Sequence, residues 1–134
     1  MDALNISYKN AGSYPVVIEK DYSSLGALIS EMFPQLKRIC IVTDTNVSKL
    51  YLDNIKSALS DCCEIVTEYI FEAGECSKTL DTVKACYDKL LANDFNRRDL
   101  IIGLGGGADM GVMSIQMSFF CILILAILKR FLRF

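Results

Sequence analysis

Three strand-like apolar runs, separated by amphipathic helical segments, constrain this chain more than any other feature. "RICIVT" (38–43) is nearly continuous in apolar, β-branched character, the pattern of a strand buried on both faces of a parallel sheet. "EIVTEYIF" (64–71) and "LIIGL" (100–104) are further strands. Between them, "NVSKLYLDNIKSALS" carries Val47, Leu50, Tyr51, Ile55, Ala58 and Leu59 along one helical face. "SKTLDTVKACYDKLLAND" restarts the helical period through Leu80, Val83, Tyr87, Leu90 and Leu91. Strand, helix, strand, helix, strand in steps of roughly thirty residues is the rhythm of an open α/β sheet. Upstream, "ALNISY" and "YPVVIE" alternate around Asn10-Ala11-Gly12-Ser13, which predicts an N-terminal hairpin. "SSLGALISEMF" predicts a first helix, with Ser23 or Ser24 as N-cap and Pro34 just past its end. The expected fold is α/β and Rossmann-like: an open, mostly parallel sheet with flanking helices and an N-terminal hairpin, incomplete as it stands.

The chain's 134 residues suffice for one domain, not two. Its net charge of −2 offers nothing to a nucleic acid. The six cysteines, at 40, 62, 63, 76, 86 and 121, form no Cys-x-x-Cys pair. The opening MDALNISYKN has neither the basic region nor the apolar core of a secretory signal. The cysteines therefore read as reduced, mostly buried thiols of a cytoplasmic protein. The chain has no histidine, so it lacks the side chain most suited to acid–base work at neutral pH and the commonest neutral zinc ligand.

In open α/β sheets ligands bind beyond the carboxyl ends of the strands. Three loops would share that edge: Thr43 to Asn46, Gly74 to Lys78, and Gly105-Gly106-Gly107. Glycines let a backbone approach a pyrophosphate. Asp44 and Asn46 suit a ribose or base, Glu75 a ribose hydroxyl, and Lys78 a phosphate or carboxamide. Each also has a plainer role. Asp44 is a ready helix cap, Glu75 and Lys78 a solvated pair, and the three glycines, lacking GxGxxG spacing, a tight turn. Their convergence on one edge favours a dinucleotide.

These residues also carry a resemblance. "YPVVIEKDYSSLGALI", "ICIVTDTNVSKLYLDNI", "GECSKTLDTVKACYDKLL" and "NRRDLIIGLGGG" resemble, in order and spacing, the N-terminal domain of the 3-dehydroquinate synthase family, over about Tyr14 to Gly107. The resemblance implies NAD binding, with Asp44 and Asn46 toward the adenosine, the loop holding Gly74, Glu75 and Lys78 along the dinucleotide, and Gly105, Gly106 and Gly107 at the pyrophosphate. The family enzyme eliminates phosphate from a seven-carbon sugar-acid phosphate and cyclises it, in the shikimate pathway. It uses a zinc or cobalt ion held by a glutamate and two histidines of a later domain, and that metal site is expected to be absent here. The family's Gly-Asp after the glycines is replaced by Ala108-Asp109-Met110-Gly111, with Asp109 two positions early.

The domain boundary is accordingly set at 1–107 for the nucleotide-binding part and 108–134 for an apolar tail. Met110 to Leu128 has no charged side chain, and as a helix it would be about 28 Å long, close to the ~30 Å of a bilayer core. Three readings stay open: an out-of-frame or truncated continuation, a tail anchor followed by Lys129, Arg130 and Arg133, or a short buried helix. The first implies a catalytically incomplete nucleotide-binding domain prone to self-association. The second implies a membrane-anchored or interaction protein built on such a module.

Overall fold

The structure is a computed structural model and describes residues 2–8, 12–19, 21–77, 79–105 and 121–126. Strands β1 (Asp2–Tyr8) and β2 (Gly12–Ile18) pair antiparallel, as the alternation on either side of residues 10–13 predicts. Helix α1 (Leu25–Met32) starts where expected, but Ser24 at its N-cap makes no side-chain cap bond. Then β3 (Arg38–Asp44), β4 (Ile65–Phe71) and β5 (Leu100–Gly105) run parallel, joined by helical segments α2 (Thr45–Val47), α3 (Asp53–Leu59) and α4 (Leu80–Ala92).

The sheet order is β4-β3-β5-β6, where β6 is Cys121–Ala126. At residues 121–126 the chain is thus a strand, where the tail readings weigh a helix. β6 lies parallel to β5, in register from Leu100 opposite Cys121 to Gly105 opposite Ala126. A short run such as "CILILA" fits a buried helix or a buried strand equally by pattern, and the backbone donors and acceptors along β5 select the strand. The sheet thus extends past the boundary placed at residue 107, while 106–120 and 127–134 lie outside the described residues. Among the described residues no helix is long and apolar enough to cross a membrane.

Both faces of β3 and β5 are buried, and period-two alternation divides them. Ile39, Ile41, Leu100, Ile102 and Leu104 pack with Leu25, Ile29, Leu52, Ile55 and Leu59 of the α1 and α3 side. Cys40, Val42 and Ile101 point the other way, onto Val83, Cys86 and Leu90 of α4 and onto Phe95. This two-sided burial is the reason "RICIVT" has no polar face to show.

The helical faces differ in detail from the sequence pattern. A π-helical turn, Ser48–Leu52, separates α2 from α3 and breaks the 3.6-residue count. Leu52 is buried in consequence, whereas Leu50, expected inside, is exposed. On α4 the buried stripe is Val83, Cys86 and Leu90, and the expected Leu80 and Leu91 are 74% and 66% exposed. Among the described side chains, Cys40 and Cys86 are the buried thiols, while Cys62 and Cys63 are half-buried and Cys76 is exposed.

Polar contacts pin the sheet at its margins. Lys56 of α3 meets Glu68 of β4 at 3.0 Å, and Lys89 of α4 donates to the Glu68 carbonyl. At the amino ends of the strands, buried Asp99 accepts from the Asn96 N–H at 2.8 Å and faces the Arg38 guanidinium at 3.9 Å.

Candidate functional site at the carboxyl edge of the sheet

Strand β3 leads to β4 on one side, and the chain then crosses to β5 on the other, so the order reverses around β3. Such a reversal opens a crevice at the carboxyl ends of the strands. Asp44, Phe71 and Gly105 end β3, β4 and β5, and Asp44 is in register with Phe71. The three loops singled out in the sequence therefore leave from one edge.

Asp44 leaves β3 in extended conformation and caps the segment that follows. Its Oδ1 accepts from the Asn46 N–H at 2.8 Å and the Val47 N–H at 2.7 Å, and the side chain is buried. The capping role weighed in the sequence is thus the structural one, and the amides at this helix start are already taken. Oδ2 remains the carboxylate oxygen able to meet a ligand hydroxyl. Asn46, two residues on, is exposed. One residue upstream, the Thr43 hydroxyl is buried with no hydrogen-bond partner among the described residues.

The loop after β4 is a tight backbone turn. Gly74 has φ of +113°, a conformation that side chains with a Cβ rarely adopt. A single 3-10 turn, Glu75–Ser77, follows. Ser77 closes the loop twice: its N–H donates to the Gly74 carbonyl at 3.3 Å and its hydroxyl to the Glu72 carbonyl at 2.5 Å. Thr79 then caps α4 by accepting from the Thr82 N–H at 3.3 Å. Gly105 ends β5 with φ of +153°.

Asp44, Asn46, Gly74, the backbone of Glu75 and Gly105 are therefore placed at one sheet edge, whereas Lys78, Gly106 and Gly107 lie outside the described residues. A link that sequence reasoning missed joins two of the loops: Thr45 Oγ1 accepts from the Ala73 N–H at 3.1 Å, across 28 positions. Thr45 lies inside the first of the predicted loops, and no local pattern signals a partner so distant. A separate groove, lined by Asp21, Tyr22, Ser23, Tyr51, Asn54 and Ala58, contains none of the predicted site residues. Burial, with the neighbouring Tyr51, raises the pKa of its Tyr22 phenol.

A family model described as the 3-dehydroquinate synthase N-terminal domain matches residues 68–122. The curated 3-dehydroquinate synthase of Clostridium kluyveri is 37% identical over 108 residues, and that of Acetivibrio thermocellus 36% over 107. Each match covers 80% of this chain, and the chain spans only 30% and 29% of those relatives. The Streptococcus mutans 3-dehydroquinate synthase is 38% identical over 95 residues. Among solved structures, 2-deoxy-scyllo-inosose synthase superposes with a TM-score of 0.76 at 20% identity, covering 93% of this chain and 35% of its own. The same enzyme complexed with carbaglucose-6-phosphate, NAD+ and Co2+ gives 0.78 at 21%, covering 94% and 35%. At that identity the likeness establishes the fold.

Proposed function

Because this chain is a relative of the 3-dehydroquinate synthases, matched in their N-terminal portion, we propose that it forms the NAD-binding part of a synthase of that type. The observation that carries this reading is the gathering of the carboxyl ends of β3, β4 and β5 at the reversal point of a parallel sheet, with the loops after β3 and β4 fastened together by Thr45 and Ala73. Support also comes from a structural neighbour complexed with NAD+.

The residues present fit a dinucleotide. Gly74 and Gly105, both at positive φ, keep the backbone bare of Cβ atoms where a ligand would approach. Asp44 Oδ2 and Asn46 are suited to the hydroxyls of the adenosine ribose. The Gly74–Glu75–Lys78 loop follows along the dinucleotide, and Gly105 to Gly107 take the pyrophosphate. Bound there, NAD supplies a reversible hydride acceptor for a sugar-acid phosphate, and the chain's own task is to hold and orient it. Among the described residues no three His, Cys, Asp or Glu side chains cluster. The phosphate-eliminating cyclisation is proposed for the synthase type as a whole and not for these 134 residues by themselves.

Calorimetric titration of the purified chain with NAD tests the reading. Weak binding is expected, because the loops lie on one side of the ligand and bury only part of it. Lys78→Ala and Gly106→Val should weaken it further. Tight binding indifferent to both changes would place the cofactor elsewhere, and no heat at millimolar NAD would overturn the assignment.

A further inference from the structure

The structure assigns Thr45 a role that its neighbours Asp44 and Asn46 do not share: its hydroxyl is a positioning group that clamps the loop after β4 to the loop after β3. It thereby sets the spacing between the two walls of the dinucleotide site. Only the identity of the ligand rests on the NAD reading above; the clamp rests on geometry.

The hydrogen bond is long in sequence and central in place. Ala73 lies two residues beyond the end of β4, and its N–H has left the β3–β4 ladder, which ends at the Asp44–Phe71 pair. An amide there must find another acceptor, and Thr45 Oγ1 provides it at 3.1 Å. Thr45 is itself held. Asp44 caps the residues after it, and the Ser48 hydroxyl donates to the Thr45 carbonyl at 3.2 Å.

The far side is held as well, since Ser77 ties back to Glu72 and Gly74 on either side of Ala73. Each loop is thus tied within itself, and among the described residues the Thr45–Ala73 bond is the hydrogen bond between them. Asn46 follows Thr45 directly and Gly74 follows Ala73 directly. Loss of the clamp therefore changes the distance between groups proposed to touch opposite parts of one ligand. A displacement of that kind costs affinity even when no contact to the ligand is removed.

Serine keeps the acceptor and valine keeps the shape without it, so the two variants separate the hydroxyl from the packing. The experiment measures NAD affinity by calorimetry and Ala73 amide exchange by NMR, on the full chain, for wild type, Thr45→Ser, Thr45→Val and Thr45→Ala. Thr45→Val is expected to bind NAD about five- to tenfold more weakly, the effect of one ordinary hydrogen bond, and to exchange the Ala73 amide faster. Thr45→Ser should stay within about twofold of wild type in both readouts. Thr45→Ala, free of a β-branched methyl against the loop, serves if Thr45→Val does not fold and should behave like it. Wild-type affinity in Thr45→Val, or a Thr45→Ser variant as impaired as Thr45→Val, overturns the assignment. If the wild type binds no NAD while the Ala73 amide is protected only when residue 45 carries a hydroxyl, the NAD reading fails and the clamp stands.

Discussion

Gly26 of α1 packs directly against the backbone of Ala58 in α3: a Cβ at residue 26 would stand 2.6 Å from the Ala58 carbonyl oxygen. The Cys62 thiol donates to the Gly26 carbonyl at 3.3 Å from the same side. A glycine within a helix ordinarily gains about 0.5–1 kcal/mol when replaced by alanine. Here the sign reverses, because the added methyl meets a carbonyl that cannot move without its helix. Gly26→Ala is expected to destabilise the chain by about 1–3 kcal/mol, read from the midpoint of urea unfolding. A midpoint that rises would mean the two helices stand farther apart than described.

Thr43 predicts a change in the opposite direction. Its buried hydroxyl lacks a partner among the described residues, and an unmet buried hydroxyl costs on the order of 1–3 kcal/mol. Thr43→Val replaces it with a methyl of nearly the same size. Urea unfolding should show the variant as stable as wild type or up to about 1 kcal/mol more stable. A clear loss of stability would reveal a partner for the hydroxyl outside the described residues.

The buried thiols give the fold an alkaline limit. Burial pushes the pKa of Cys40 up to about 12, with Cys86 adding to the rise, and burial likewise pushes Cys86 up to about 12. A raised folded-state pKa stabilises the fold fully below the unfolded value near 9, and that stability is lost as pH climbs toward 12. Burial also raises the phenols of Tyr22, Tyr69 and Tyr87, which act in the same direction at higher pH. The melting temperature should therefore fall steadily above pH 9, and less steeply in Cys40→Ala. Exposed Cys76 should react with a thiol reagent at neutral pH before the other described cysteines, and Cys40 and Cys86 only on unfolding. Early modification of Cys86 would contradict the packing of α4.

Leu80 and Leu91 are eleven positions apart on α4, about three helical turns, so they share a face, and both are largely exposed. Ile65 and Ile70 of β4, the strand at one margin of the sheet, are also exposed. We expect these exposed apolar side chains to drive self-association: sedimentation velocity should show oligomers growing with concentration, reduced in the Leu80→Ser/Leu91→Ser double variant. A single monomeric species at high concentration would count against it.

Much of this protein is local and was legible in the chain. The near-continuous apolar run of "RICIVT" announces a strand covered on both faces, and the structure divides Ile39 and Ile41 from Cys40 and Val42 accordingly. Asp44 before Thr45-Asn46-Val47 announces a capped helix start, and its carboxylate takes the Asn46 and Val47 amides. Shared direction of the strands follows from the helical crossovers between them, so the predicted loops had to meet at one edge. These features depend on residues a few positions apart, where side-chain period and backbone hydrogen bonding are already decisive.

What depends on residues meeting from afar needed the tertiary structure. Periodicity cannot foresee a π-helical turn that rotates Leu50 outward and Leu52 inward, because 3.6-residue counting assumes the ladder it would need to test. "CILILA" suits a helix or a strand alone, and only the open side of β5 makes it a strand. The order β4-β3-β5-β6, the close approach at Gly26 and the Thr45–Ala73 bond all join segments separated by tens of positions. The sequence by itself determined which strand residues share a face and which lie at the strand ends. The packing of distant segments decided how far apart those ends stand and what holds them there, since a long-range contact forms only after the chain has closed around it.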